Sequence, residues 1–130
     1  MSQTEHYVLD APTLVALGGD KQVSGLIHAA AASDDVRLWV PVLCLLEAER
    51  RRAGMVDHVG VLVDVLSIVD DDYAMTVTVA ELGRTGIAQD AAAAVHAARP
   101  NGTLPVGALI ATVEPGVYEG LGVGVMDLRR

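Results

Sequence analysis

Four carboxylates are spaced so that an α/β chain could gather them. Asp10 ends the short apolar run Tyr7-Val8-Leu9, and Ala11-Pro12-Thr13-Leu14 behind it reads as the start of a helix. Glu47 follows Val40-Pro41, Asp90 opens an alanine-rich stretch, and Glu114 follows Leu109-Ile110-Ala111. Magnesium and manganese take oxygen ligands, and phosphoryl-transfer sites supply them as carboxylates and water. Two such ions close together can activate a water and stabilise the leaving oxygen of a phosphodiester. Acids held that close repel one another without a cation between them. The expectation is that Asp10, Glu47, Asp90 and Glu114 converge around divalent metal.

Each acid also has a plainer reading. Asp10 suits a helix-capping aspartate. Glu47 shares a helical face with Leu43 and Leu46, but Glu49 shares a stripe with Val42 and Leu46 and competes with it. Asp90 could cap the helix behind it, and Glu114, before Pro115-Gly116, could be an exposed turn residue. Arg50-Arg51-Arg52 is the one basic cluster. Arg50, close behind Glu47, is the candidate phosphate contact; equally, the cluster could complement a helix C-terminus. Asp70-Asp71-Asp72 reads as a solvated helix start, and His6, His28 and His58 share no ligand spacing. His96, on the alanine-rich segment, reads as a core or rim residue. Gly120-Leu121-Gly122-Val123-Gly124 lacks the helix a dinucleotide loop needs after it, so a nicotinamide enzyme is disfavoured.

The elements that must position these residues alternate. Strands are expected at 6–9, 37–40, 66–69, 107–112 and 122–127. Helices are expected from Pro12 to Gly18-Gly19 and over 21–32, 42–53, 73–84 and 88–98. Residues 57–64 read as helical, although the alternation of Val59, Val61, Val63 and Val65 leaves a strand open. Strands alternating with helices imply right-handed crossovers and a mostly parallel central sheet flanked by helices, a three-layer α/β domain. At the end of its first strand Asp10 would stand where such folds keep their ligands.

Bulk composition bounds the function. The chain has 130 residues, enough for one domain with a proper core, and no linker or repeat divides it. Its residues are 52% hydrophobic, which disfavours disorder. Aromatics are 3% with no Phe, so base-stacking platforms are disfavoured. A single cysteine excludes an internal disulfide, and Cys44, within Val42-Leu43-Cys44-Leu45-Leu46, reads as a small core residue. A net charge of −8 argues against a general nucleic-acid coat and suits a partner with a basic segment. The N-terminal residues lack the basic-then-apolar pattern of a signal peptide, and the longest apolar run, 38–46, is too short for a bilayer. A cytoplasmic protein without membrane contact is expected.

Five segments, in order, carry a family resemblance. They are Tyr7-Val8-Leu9-Asp10 with Leu14-Val15-Ala16-Leu17; Val40-Pro41-Val42-Leu43-Cys44-Leu45-Leu46-Glu47; Asp90-Ala91-Ala92-Ala93-Ala94-Val95-His96-Ala97; Ala108-Leu109-Ile110-Ala111-Thr112-Val113-Glu114; and Val123-Gly124-Val125-Met126-Asp127-Leu128. Together they resemble a PIN domain, the fold of the VapC-like ribonuclease toxins of toxin–antitoxin pairs. The resemblance implies that Asp10, Glu47 and Asp90 hold Mg2+ or Mn2+, with Glu114 as a fourth, water-mediated acid. It also implies an RNA substrate, a homodimer and a cognate antitoxin protein. Two places depart from the pattern: Pro12 stands where the family carries Ser or Thr, with Thr13 one step late, and Glu114 replaces an Asp. These departures define a second expectation, a degenerate PIN-like module that binds a protein without cutting RNA.

Overall fold

The computed structural model describes residues 4–102 and 104–129. Among these residues five strands form one sheet: β1 (Glu5–Leu9), β2 (Val36–Pro41), β3 (Leu66–Val69), β4 (Leu109–Thr112) and β5 (Val125–Asp127). Their order is β3-β2-β1-β4-β5 and every pairing is parallel. Tyr7 registers with Leu38 on one side and Leu109 on the other. The sheet is thus all parallel, with β1 at its centre as the sequence leads one to expect.

Among the described residues six α-helices connect the strands: α1 (Ala11–Val15), α2 (Lys21–Ala32), α3 (Val42–Arg51), α4 (Met55–Gly60), α5 (Tyr73–Gly83) and α6 (Gln89–Ala98). The chain steps from β1 outward through β2 to β3, then returns past β1 to β4. Right-handed crossovers place α1 to α4 on one face and α5 with α6 on the other. The reversal of direction between β1 and β4 opens a crevice at their carboxyl ends, the usual ligand position in open parallel sheets.

Local chemistry sets the helix starts. Asp20 caps α2 by accepting the Gln22 and Val23 N–H groups at 2.8 and 3.1 Å, and Asp72 caps α5 through Met75 N–H at 2.8 Å. Within the Asp70-Asp71-Asp72 run, then, Asp72 is a cap. Glu49 accepts the Gly54 and Val56 N–H groups at 2.9 Å each, tying α3 to the turn that opens α4. That bond occupies Glu49 and leaves Glu47 to the site.

Val8, Leu9, Leu38, Val40 and Ile110 are fully buried at the sheet's centre. On α6 the residues Ala91 to Val95, with Ala97 and Ala98, are all buried, so a helix nearly without side-chain bulk lies close against β1, β2 and β4. Three expectations shift. The valine alternation after residue 57 is not a strand: α4 ends at Gly60 and turns lead to β3. Strand β4 begins only at Leu109, because Gly107 turns with φ +75° beside Ala98, whose carbonyl oxygen would stand 2.8 Å from an added Cβ. Strand β5 begins at Val125, and a 3-10 turn over Pro115–Tyr118 precedes it.

Candidate acidic site

Asp10 leaves the end of β1 and caps α1, so its capping role is real. It does more than cap. Its Oδ1 accepts the Thr13 N–H at 3.3 Å and the Thr13 hydroxyl at 2.6 Å. Its Oδ2 accepts the Thr112 hydroxyl at 2.6 Å and the Tyr118 hydroxyl at 2.7 Å. The residue is 1% exposed, and these bonds fill its acceptor sites. Thr13 also accepts the Val113 N–H at 3.2 Å, and Thr112 accepts the Glu114 N–H at 2.9 Å. The hydroxyl one step late in the sequence therefore reaches the acid, because a residue at the third position of a helix faces back to its cap.

The negative charge of Asp10 is felt around it. Burial first, then the charge and hydrogen bond of Asp10, push the Tyr118 hydroxyl far above the ordinary phenol range. Burial, with the charges of Asp10 and Asp90, likewise raises the Cys44 thiol. Cys44 is fully buried and donates to the Asp90 carbonyl at 3.2 Å, so it is the core residue expected, wedged between two acids.

Glu47 and Asp90 line one pocket of about 560 Å³, with Leu43, Leu46, Arg50 and Arg51. Glu47 is clamped: Arg50 donates Nε at 2.9 Å and Nη2 at 2.5 Å, and Arg51 donates Nε at 2.8 Å. The two guanidiniums, Arg50 first, hold its carboxyl down to about 2. Asp90 lies in the first turn of α6, whose N-cap is Ala88, so it is not the cap. Burial first, then the charge of Glu47, raises its pKa, partly offset by Arg51, whose Nη2 stands 4.0 Å away.

Arg51 is thus the local cation. It bonds Glu47, approaches Asp90, and is held charged by those two and by Glu114. Glu114 follows β4 at the start of the 3-10 turn, and its side chain is not among the capping groups of that turn. Arg50, by contrast, has a side chain 72% exposed and bonds Glu47 alone.

The structure brings Glu47 and Asp90 together at a pocket mouth, sets Glu114 within range of the same arginine, and buries Asp10 behind Thr112 and Tyr118. As the side chains stand, no three acid, histidine or cysteine groups among the described residues are close enough to hold one metal ion. The donor set at the mouth nevertheless suits a hard cation, which is commonly bound by one or two carboxylates and completed by water and substrate oxygens. Asp10 does not fit as a direct ligand while Tyr118 holds Oδ2.

Sequence reasoning placed Arg51 in the basic cluster without its bond to Glu47, and missed Tyr118. Arg51 had a signal, since it lies four residues past Glu47 on the same helical face. Tyr118 had only the rarity of aromatic residues in this chain.

No protein-family model matches the sequence, and no curated protein is similar to it. A solved structure is: a chain in the crystal structure of DNA-bound VapBC from Salmonella typhimurium superposes with a TM-score of 0.60 at 17% identity, over 98% of this chain and 99% of that one. At that identity the likeness shows the fold, which is PIN-like: five parallel strands between layers of helices. No helix among the described residues is long and apolar enough to cross a membrane.

Proposed function

We propose that this chain is a PIN-like endoribonuclease, a hydrolase of RNA phosphodiesters that works with Mg2+ or Mn2+ in the cytoplasm as the toxin of a toxin–antitoxin pair. The observation that supports it most is the placement of Arg51. One guanidinium at the carboxyl ends of parallel strands bonds Glu47 at 2.8 Å, stands 4.0 Å from Asp90 and feels the charge of Glu114. That is a position built for positive charge. Glu47 and Asp90 would hold the metal directly and Glu114 through water; a bound divalent ion supplies an activated water and charge stabilisation at phosphorus.

The chain's own residues do the rest. Asp10 stands at the base of the site, oriented by Thr13 and Thr112, and serves as a third ligand only when Tyr118 releases Oδ2. Arg50, exposed at the pocket rim, would meet a substrate phosphate, the contact a guanidinium makes best. The VapBC likeness supports a cognate antitoxin as partner, and a homodimer is proposed from the family resemblance alone.

A second reading has its own observation. Saturation of Asp10 by four protein donors suits a module that binds a protein partner and cuts nothing. One experiment separates the two: incubation of single-stranded RNA with the protein and Mn2+, beside Glu47→Gln and Asp90→Asn. Cleavage lost in both variants supports the nuclease. An intact RNA together with a melting temperature indifferent to Mn2+ leaves the binding module.

A further inference from the structure

The region between Arg52 and Arg84 contains no Lys or Arg, yet holds Asp57, Asp64, Asp70, Asp71, Asp72 and Glu81. The same region exposes Val61, Val63, Ile68, Tyr73 and Val77, at 79%, 57%, 39%, 83% and 37% of their surfaces. Acidic and apolar groups on one uninterrupted stretch are an unusual surface for a folded domain, where large exposed apolar side chains mark interaction sites.

At its centre lies β3, one of the two edges of the sheet. It pairs with β2 alone, and Ser67, Ile68 and Val69 make no backbone bond to any other described segment. Natural edges are commonly blunted by Lys, Pro or a bulge. At four residues β3 is short, but it carries no Lys or Pro and its register with β2 is continuous from Leu66 to Val69. Beside the edge, between β2, α5 and α6, opens a cavity of about 740 Å³, larger than the acidic pocket. Trp39, Ile68, Met75 and Leu104 line its apolar part, and Asp70 and Asp72 stand on its lining too; no Lys or Arg lines it, and Arg37 is stacked 5.4 Å from the Trp39 ring centroid.

We propose that the β3 edge, with this cavity, receives an extended segment of a partner protein that carries Lys or Arg between apolar residues. Main-chain bonds to the open edge give such a segment affinity, and alternate side chains reach the cavity. The charge of the surface selects its sign: basic side chains meet Asp70 and Asp71, while an apolar one enters beside Trp39. This surface is separate from the acidic pocket, so the inference stands whether or not the chain cuts RNA.

Three short peptides test it: one alternating lysine and valine, one alternating glutamate and valine, and the lysine peptide N-methylated along its centre. Trp39, the chain's one tryptophan, reports occupancy by its fluorescence, and amide hydrogen exchange reports Ser67 to Val69. The lysine peptide is expected to give a saturable fluorescence change and to slow exchange at the β3 edge. Asp70→Asn with Asp71→Asn should weaken it about tenfold. Ile68→Lys should abolish it, while the melting temperature of each variant stays near that of the wild type. Equal binding of the glutamate peptide overturns the charge argument, and equal binding of the N-methylated peptide overturns strand addition. Absence of binding, or binding indifferent to these substitutions, overturns the site. Concentration-dependent dimerisation protecting the same amides makes a second copy the occupant and overturns the partner.

Discussion

Thr112 donates a hydrogen bond from its hydroxyl to Asp10 across 2.6 Å, joining the end of β4 to the exit of β1 at the point where the chain reverses its direction through the sheet. The two residues are 102 positions apart in sequence. With Thr13 and Tyr118 they make a buried polar knot in which every acceptor of the carboxylate has a donor, and buried polar side chains without partners are absent among the described residues. Such a knot rigidifies only while it is complete, since a buried charge that loses a partner bears the desolvation cost in full.

Tyr118→Phe removes one donor from that knot and leaves the phenyl packing in place. Hydrogen bonds to charged groups are worth about 1.5–3 kcal/mol, so the variant should be less stable by about 2 kcal/mol in metal-free buffer. The same change frees an acceptor on Oδ2. Mn2+ should therefore raise the melting temperature of the variant more than that of the wild type, by mass action. Unfolding curves with chelator and with Mn2+ measure both effects. An equal Mn2+ response in the two proteins would remove Asp10 from the cation site.

Arg51 and a divalent ion compete for the same carboxylates in the proposed site. Arg51→Ala should leave Glu47 with Arg50 alone and Asp90 without its nearest guanidinium. The variant is expected to bind Mn2+ about tenfold more tightly, the size of one modest charge interaction at a partly solvated site. Isothermal titration with MnCl2 gives the number. Weaker binding in the variant would make Arg51 a support of the site and not a stand-in for the ion.

The layers and the sheet were legible because the pattern is carried by long, redundant signals. The Asp70-Asp71-Asp72 run marks a helix start by chemistry that acts within a few residues, and the apolar strand cores need no distant partner to be recognised, whereas α1 ends at Val15, short of the expected Gly18-Gly19. The spacing offered four acids as a set, of which Glu47 and Asp90 line one pocket and Asp10 is buried behind it; Glu47 over Glu49 was not legible, since both lie on helical stripes with apolar neighbours. Only the structure shows that Glu49 is taken by the N–H groups of Gly54 and Val56. Tyr118 and Thr112 were invisible as partners of Asp10 because their meeting depends on the parallel register of β1 with β4. The starts of β4 and β5 were misplaced because the residues before them, Gly107 and Gly122, belong to turns with positive φ.

Ala93 on α6 is completely buried in the core cluster. The close approach of α6 to the sheet depends on such small residues. Ala93→Leu adds volume where no space exists and should cost about 1–3 kcal/mol through off-rotamer side chains and a displaced helix. Ala31→Leu, on the exposed side of α2, makes the same chemical change in solvent and should be nearly neutral. Chemical denaturation of both variants checks the contrast; equal losses would mean that α6 can shift outward freely.

Glu47 and Asp90 face one pocket but bear on stability with opposite sign. The arginines lower Glu47 to about 2, so its contribution is complete above the unfolded-state value of about 4.5 and is lost as pH falls toward 2. Asp90 is raised by burial and by Glu47, so the folded protein holds its proton more tightly than the unfolded chain does. Its ionisation therefore costs stability as pH rises through the unfolded and then the folded value, and that cost persists at neutral pH. Asp90→Asn should accordingly melt a few degrees higher than wild type at pH 7, with the gain fading as pH falls below the ordinary carboxylate range. Glu47→Gln should melt lower at pH 7, and its deficit should close only as pH approaches 2, where the wild-type carboxylate is also neutral. Melting temperatures of the three proteins across this range provide the test. A lower melting temperature for Asp90→Asn at neutral pH would mean that Arg51 stabilises Asp90 more than burial and Glu47 oppose it.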